Sequence, residues 1–166
     1  GVVSEEDVVR TFIKKRILFV CTGNSCRSPM AQFLLFKYLF QLRPYLKDRY
    51  EIGSAGVSAY PGSTIAPEVV NILKNEEGLE VTQFSSRMLD RYMVLSTDLV
   101  FTMEDKQSKY IREYEPSAEG RIFNIKKFLP PELEEDIPDP IGKSPDFYHH
   151  VHTLLKKAVV ELIDWL

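Results

Sequence analysis

The chain has 166 residues, of which 44% are hydrophobic and 27% charged, and its formal net charge at pH 7 is −3. This length suffices for one domain with a sizeable core, and the acidic balance argues against a general nucleic-acid binder, which would carry a basic face. Residues 1–10 lack the basic start and long apolar run of a signal peptide, and the longest apolar stretch is too short to span a membrane. The expected compartment is therefore the cytoplasm.

The first predicted elements surround both cysteines of the chain. Residues 17–20, ILFV, form a short continuous apolar run, which is typical of a strand covered on both faces. Turn-type residues 22–24 follow, and Ser28 and Pro29 indicate an N-cap and the first position of a helix. That helix is predicted over residues 29–43, with a density of apolar residues that implies burial on most sides.

Strands and helices continue to alternate along the rest of the chain. This alternation predicts an α/β fold, a three-layer sandwich in which a four-stranded parallel sheet is covered by helices on both faces. We assign residues 16–166 to one domain and residues 1–15 to an N-terminal extension. Ligands of such sheets bind beyond the carboxyl ends of the strands, which is where the first strand places Cys21. The remaining predicted strands are 50–56, 98–103 and 121–125, and the remaining helices are 67–77, 86–94, 105–113 and 146–166.

The loop from Cys21 to Arg27 suits the binding of a phosphate. It joins a strand to a helix N-terminus, where successive N–H groups can converge on an anion, and Gly23 and Asn24 supply the freedom that this curl requires. The planar fork of Arg27 matches two phosphate oxygens. The same surroundings favour the thiolate of Cys21, which can attack phosphorus and form a phosphocysteine. The hydroxyl of Ser28 can donate either to that sulfur or to the helix N-terminus.

Other uses of the two cysteines have less support. A zinc site needs two more ligands, and His149, His150 and His152 all lie in the last predicted helix, where a solvated helix face is the simpler interpretation. A structural disulfide between Cys21 and Cys26 would distort the loop, whereas a reversible one under oxidant stays open. The chain contains no Walker-type phosphate-binding motif.

Residues 20–29, VCTGNSCRSP, closely resemble the signature V-C-x-G-N-x-C-R-S-P of the low-molecular-weight protein-tyrosine phosphatases, and the resemblance extends over residues 16–166. It implies that Cys21 is the nucleophile and Arg27 the phosphate clamp. It further implies that Ser28 supports the loop and that Ser54 bonds the loop asparagine. The phosphate-binding residues that it implies are Thr22, Gly23, Asn24, Ser25, Cys26 and Arg27.

Displacement of a phenol from phosphorus at neutral pH requires a proton donor, and a positioned carboxylic acid contributes about 10²–10⁴-fold. The run EEDIPDPIG, residues 134–142, offers several carboxyl groups. Asp139 is the first candidate because Pro140 restricts its backbone to an extended conformation, and Asp136 is the second. The family to which the chain is similar has its acid in the corresponding Asp-Pro dipeptide, so the resemblance also implies this role for Asp139.

Departures from the family pattern bear on the substrate. Ile141 and Gly142 stand where the animal enzymes have two tyrosines that line the entrance. A bacterial branch that acts on phosphoarginine has threonine where this chain has Ser25, whose hydroxyl could meet guanidinium N–H groups. We favour phosphotyrosine, with phosphoarginine as the alternative and small phosphoesters behind both. The family's histidine before the third strand is missing, and Gln83 or Phe84 occupies its region.

The sequence thus predicts a phosphatase that acts on phosphorylated proteins without a metal or other cofactor, as a monomer, and without nucleic-acid or membrane partners. Three further functions stay as distant alternatives. Arsenate reduction would require cysteines beyond Cys26. A non-catalytic phosphate-binding module would not need Cys21, Arg27 and Asp139 together. A redox-sensing thiol would respond to oxidant instead of a phosphoester.

Overall fold

The computed structural model describes residues 1–5 and 13–166, so residues 6–12 of the predicted N-terminal extension lie outside the described residues. The first strand, β1, comprises Lys15–Cys21 and therefore begins one residue inside that extension. Among the described residues, no helix is both long enough and apolar enough to cross a membrane.

The elements that follow alternate as predicted. Three more strands are present: β2 (Tyr50–Gly56), β3 (Leu99–Thr102) and β4 (Ile122–Asn124). The helices of the described part are α1 (Arg27–Leu42), α2 (Pro67–Glu77), α3 (Arg91–Leu95), α4 (Asp105–Tyr114) and α5 (Pro145–Trp165). Short 3₁₀ helices lie at Pro44–Arg49, Pro116–Arg121, Ile125–Phe128 and Pro131–Leu133.

The four described strands form one parallel sheet in the order β2-β1-β3-β4, which confirms the predicted fold class. Strand β1 lies between β2 and β3, so the chain winds away from β1 in both directions. The carboxyl end of β1 is consequently the point at which the strand order reverses, the usual ligand position in such sheets. Cys21 is the last residue of β1, and Gly56 lies beside it on β2.

The alternating side chains of β1 separate two hydrophobic layers. Ile17 and Phe19 pack with residues of α1, α2 and α5 on one face of the sheet. Leu18 and Val20 pack with residues of α3 and α4 on the other face. All four side chains are buried, and burial of each stabilises the fold by about 1.5–3 kcal/mol. The strand that carries Cys21 is therefore held rigidly between two layers of helices.

Helix α3 is much shorter than the helix predicted over residues 86–94. The N–H of Gly56 donates to the carbonyl of Arg87 at 2.9 Å, and the N–H of Leu89 donates to the carbonyl of Gly56 at 2.8 Å. These bonds hold the segment alongside the end of β2 in place of a helical turn. The helix begins only after Asp90, whose carboxylate accepts the N–H of Met93 at 2.8 Å.

Candidate active site

The sulfur of Cys21 lies at the base of the loop between β1 and α1, and it is buried. It accepts the N–H of Asn24 at 3.2 Å and lies 2.9 Å from the hydroxyl oxygen of Ser28. The N-cap position of α1 is Cys26, which makes no side-chain cap, so the prediction that Ser28 is the N-cap is wrong. Ser28 lies within the first turn, where its hydroxyl can reach the sulfur instead.

Asn24 holds the loop in shape. Its φ of 51° lies in the left-handed region, which asparagine tolerates better than most residues. Its side-chain amide donates to the hydroxyl oxygens of Ser28 and Ser54, each at 2.9 Å, and its side-chain carbonyl accepts the N–H of Arg87 at 2.8 Å. Ser54 in turn donates to the side-chain carbonyl of Gln32 at 2.6 Å. The side chain of Asn24 is therefore fixed on both its donor and its acceptor atoms.

The loop rests directly on the end of β2, where only glycine fits. A Cβ atom at Gly56 would lie 2.5 Å from the carbonyl oxygen of Thr22 and 2.8 Å from the nitrogen of Asn24. Three carbonyls of the loop accept N–H groups from the segment after β2, so the N–H groups of the residues that follow them, which point the opposite way in trans peptides, point away from that segment. Backbone N–H groups of Val57, Ser58 and Ala66 bind the carbonyls of Cys21, Thr22 and Ser25, at 3.0, 2.9 and 2.9 Å.

The guanidinium of Arg27 is buried, with its side chain 2% exposed. Its Nη1 donates to a carboxylate oxygen of Glu104 and, at 2.9 Å, to the carbonyl oxygen of Ile137. Its Nη2 donates to Oδ2 of Asp139 at 3.1 Å. Glu104 was not among the residues predicted from the sequence, although it follows β3 at the carboxyl edge of the sheet and that position could have indicated it. Two carboxylates thus compensate the buried charge of Arg27.

The two candidate acids occupy different environments. The side chain of Asp139 is 45% exposed, and its Oδ1 accepts the N–H of Ile141 at 3.1 Å. Asp136 instead accepts a hydrogen bond from the side-chain amide of Asn124 at 2.8 Å and pairs with Lys126 at 3.0 Å. Asp136 therefore anchors the acidic loop to the end of β4, while Asp139 contacts Arg27 and remains open to solvent.

The two cysteines are free thiols with different surroundings. Burial raises the pKa of the Cys26 thiol to about 11, so this thiol remains protonated at neutral pH. Burial also raises the pKa of the neighbouring Tyr148 to about 12. Ser25 is half-buried, with its hydroxyl oxygen 3.8 Å from the Cys26 sulfur.

Neither Gln83 nor Phe84 takes the place of the missing histidine. Phe84 packs edge-on against Phe33, with ring centroids 6.1 Å apart, and neither side chain hydrogen-bonds the loop in the described part of the chain. The loop is supported from this segment by the hydroxyl of Ser86 and the N–H of Arg87, which both bond Asn24. Sequence reasoning missed these contacts because it placed both residues in a helix.

The histidines of α5 do not share one environment. His149 is exposed, but His152 is buried, with its Nε2 2.8 Å from a carboxylate oxygen of Glu77, so a solvated face is wrong for His152. Within residues 1–5 and 13–166, no group of three or more histidine, cysteine, aspartate or glutamate side chains is arranged to hold a metal ion.

Comparisons with known proteins agree on one family. The sequence model described as "Low molecular weight phosphotyrosine protein phosphatase" matches residues 16–166. A protein-arginine-phosphatase of Geobacillus stearothermophilus is 34% identical over 91% of this chain and 95% of its own length. A low molecular weight protein tyrosine phosphatase structure from T. tengcongensis is 33% identical, with a TM-score of 0.82 over 92% of this chain and 100% of that one. A mutant of the YwlE arginine phosphatase with a phosphorylated active-site serine is 30% identical, with a TM-score of 0.79 over 91% and 95% of the two chains.

Proposed function

This chain belongs to the low molecular weight phosphotyrosine protein phosphatase family, and from that premise we propose the part that each residue of its site takes in the reaction. Cys21 is the nucleophile. The observation that carries this assignment is the pair of groups at its sulfur, the N–H of Asn24 at 3.2 Å and the hydroxyl of Ser28 at 2.9 Å. Asn24 also donates to the oxygen of Ser28, so the Ser28 proton is left for an acceptor. The Cys21 sulfur at 2.9 Å is nearer than the carbonyl oxygen of Ala55 at 3.4 Å, and a proton directed at the sulfur stabilises a thiolate.

In the first step the Cys21 thiolate attacks phosphorus. The S–P bond forms, the bond from phosphorus to the side-chain oxygen or nitrogen of the substrate breaks, and Asp139 gives its proton to the leaving atom. In the second step water attacks phosphorus and the S–P bond breaks. Asp139 takes the water proton, Cys21 returns to the thiolate, and inorganic phosphate is released. The phosphorylated active-site serine of the related arginine phosphatase mutant supports a covalent intermediate of this kind.

Arg27 stabilises the charge on the transferring phosphoryl group. Its Nη1 is fixed by Glu104 and the carbonyl of Ile137, so the Nε and Nη2 edge is the one presented to phosphate oxygens. Its Nη2 is bonded to Asp139 at 3.1 Å. A phosphate oxygen that accepts the Nη2 hydrogen bond in place of Asp139 frees the Asp139 carboxyl, which can then contact the leaving group. Substrate binding and the placement of the acid are thereby coupled through one nitrogen.

The test of this mechanism is turnover of an aryl phosphate in the presence of a chelator. We expect full activity with the chelator and none in Cys21→Ser, while Cys21→Ser keeps the fold. Activity that survives in Cys21→Ser, or that is lost with the chelator, would discard the mechanism.

Ser25 and Ile141 bear on the choice between phosphotyrosine and phosphoarginine. Phosphotyrosine is the favoured substrate because the family is one of phosphotyrosine protein phosphatases. Phosphoarginine is the second candidate because Ser25 places a half-buried hydroxyl in the loop and Ile141, 56% exposed, provides no aromatic wall. Values of kcat/KM on matched phosphotyrosine and phosphoarginine peptides decide between them. We expect Ser25→Ile to lower kcat/KM for the phosphoarginine peptide more than kcat/KM for the phosphotyrosine peptide. If Ser25→Ile leaves both kcat/KM values unchanged, this account of the pocket is refuted.

The assignment of residues 16–166 to the phosphatase domain, and of 1–15 to an extension, is part of the same proposal. The proposal also includes a cytoplasmic location, a monomeric state and the lack of nucleic-acid and membrane partners. The net charge of −3 supports the lack of a nucleic-acid partner. Strand β1 begins at Lys15, so a chain without residues 1–14 is expected to retain its kcat/KM. Light scattering measures the oligomeric state, with a mass near 19.2 kDa expected.

A further inference from the structure

The peptide between Asn24 and Ser25 is held differently from three other peptides of the loop. The carbonyls of Cys21, Thr22 and Ser25 are bound by backbone N–H groups. The carbonyl of Asn24 instead accepts the side-chain hydroxyl of Ser86 at 2.7 Å. Asn24 and Ser86 are buried, at 0% and 3% exposure, so solvent has little access to this bond. The orientation of one loop peptide thus depends on one serine hydroxyl.

Ser86 is itself fixed at both ends of its backbone. Its N–H donates to the carbonyl of Ser63 at 2.8 Å, and its carbonyl accepts the N–H of Gly62 at 3.0 Å. The next residue, Arg87, donates its N–H to the side-chain carbonyl of Asn24 at 2.8 Å. The two consecutive residues therefore hold the main-chain and side-chain carbonyls of Asn24, and the Ser86 hydroxyl has little freedom to leave.

The contact of Ser86 sets the direction of the Ser25 N–H. The described part of the chain contains no cis peptide bond, and in a trans peptide the C=O and N–H point in opposite directions. A carbonyl of Asn24 that points out to Ser86 leaves the N–H of Ser25 directed into the loop. That N–H is one of the donors available to an oxyanion bound above the Cys21 sulfur.

We propose that Ser86 is a positioning residue for phosphate binding, because its hydroxyl fixes the Asn24–Ser25 peptide with the Ser25 N–H directed at a phosphate oxygen. The inference rests on the proposed function, since it concerns the same loop. Without this hydroxyl the carbonyl of Asn24 has no hydrogen-bond donor among the described residues, and the peptide can rotate. The ground state and the transition state both use this N–H, so its loss raises the Kd for phosphate and KM and leaves kcat nearly unchanged.

The experiment compares Ser86→Ala with Ser85→Ala, a matched control at an exposed neighbouring serine. Binding of inorganic phosphate is followed by calorimetry and by the ¹⁵N–¹H signal of Ser25, and KM and kcat are measured with an aryl phosphate. We expect Ser86→Ala to raise both the Kd for phosphate and KM by about 3–10-fold, as for loss of one hydrogen bond. The phosphate-induced shift of the Ser25 amide should shrink, while Ser85→Ala behaves as the parent.

The outcomes separate the two proposals. If the parent chain neither binds phosphate nor turns over the aryl phosphate, the proposed function fails and this inference with it. If the parent binds phosphate and Ser86→Ala binds it equally well with an unchanged Ser25 signal, this inference alone is overturned, even when the melting temperature falls. If Ser86→Ala does not fold, Ser86→Cys keeps the shape with a weaker donor, and it must show a Kd above that of the parent.

Discussion

Glu77 and Arg27 are both buried charges held by ion pairs. They differ in whether their protein partners leave a hydrogen-bonding group available to a ligand. The side chain of Glu77 is 0% exposed. One of its oxygens accepts Lys37 at 2.6 Å and Tyr38 at 2.7 Å, and the other lies 2.8 Å from His152 and 3.2 Å from Lys156. Every partner comes from α1 or α5, so this carboxylate joins the end of α2 to both helices and is fully occupied by protein atoms.

Only one of the two terminal nitrogens of Arg27 is bound entirely by buried or largely buried protein groups. Glu104 and the carbonyl of Ile137 occupy Nη1, but Nη2 is held by Asp139, whose side chain is 45% exposed. Asp139 is exchanged for an anion at small cost, because its partly exposed carboxylate returns to water and Glu104 stays paired with the buried guanidinium. The comparison indicates that the Glu77 network stabilises the fold and the Arg27 network retains a capacity to bind an anion.

The largest expected effect is on the acid. Asp139→Asn removes the proton donor and should lower kcat by about 10²–10⁴-fold. The melting temperature should change little, since the Asp139 side chain is 45% exposed and Glu104 still pairs with Arg27. The loss should be smaller for a nitrophenyl phosphate than for phenyl phosphate, because nitrophenolate leaves without a proton. Glu135→Gln, an exposed change in the same loop, is the control and should retain parent kcat.

The next effect is on the phosphate clamp. Arg27→Lys keeps the charge but loses the planar fork, and we expect kcat/KM to fall by about 10²–10³-fold, as for loss of a donor to the transition-state charge. The control is Arg91→Lys, at a largely exposed arginine that pairs with Glu115, which should retain parent kcat/KM. A kcat/KM near the parent value in Arg27→Lys would show that the free edge of the guanidinium is not used.

Glu77 should show the opposite pattern. Glu77→Gln leaves Lys37 and Lys156 without their buried partner, which should lower the free energy of unfolding by about 3–5 kcal/mol in a urea titration. The kcat of the folded variant should stay at the parent value. Glu76→Gln, at a neighbour whose side chain is 42% exposed, is the control and should cost much less. Loss of kcat in folded Glu77→Gln would contradict the separation of the two networks.

The same carboxylate predicts the response of stability to acid. Burial by itself would raise the pKa of Glu77, but hydrogen bonds from Lys37, Tyr38, His152 and Lys156 outweigh burial and lower the pKa to about 2. A lowered pKa stabilises the fold above the ordinary value of 4.5, and this contribution is lost as the pH falls toward about 2. Its size is about 3 kcal/mol, visible as a drop in the free energy of unfolding that Glu77→Gln does not show.

The parts of the site that follow one another along the chain could be predicted from the sequence. Cys21, Arg27 and the loop between them are contiguous, and the alternation of elements places them at the carboxyl edge of a parallel sheet. Contacts made across the fold were missed. Glu104 looks like any acid at the N-cap of a helix, and only the folded sheet places it beside Arg27.

Two predictions of local structure were wrong for the same physical reason: tertiary hydrogen bonds replace the local hydrogen bonds that the sequence pattern indicated. Ser28 has the residue type and position of an N-cap, but its hydroxyl lies against the Cys21 sulfur. Residues 86–90 fit a helical pattern, but their backbone and side-chain groups hydrogen-bond to β2 and to Asn24 instead. The deviation from local preference occurs where the chain supports the phosphate loop.

The central claim is that Cys21 is the attacking thiol beneath the phosphate-binding loop, and its most direct test is alkylation by iodoacetamide at pH 7 with and without inorganic phosphate. Cys26 provides the internal contrast, since burial raises its pKa to about 11. We predict that Cys21, located by peptide mass, is alkylated with loss of activity and that inorganic phosphate slows this reaction, while Cys26 stays unmodified. Alkylation of Cys26 in place of Cys21, or a rate at Cys21 that inorganic phosphate leaves unchanged, would contradict the account.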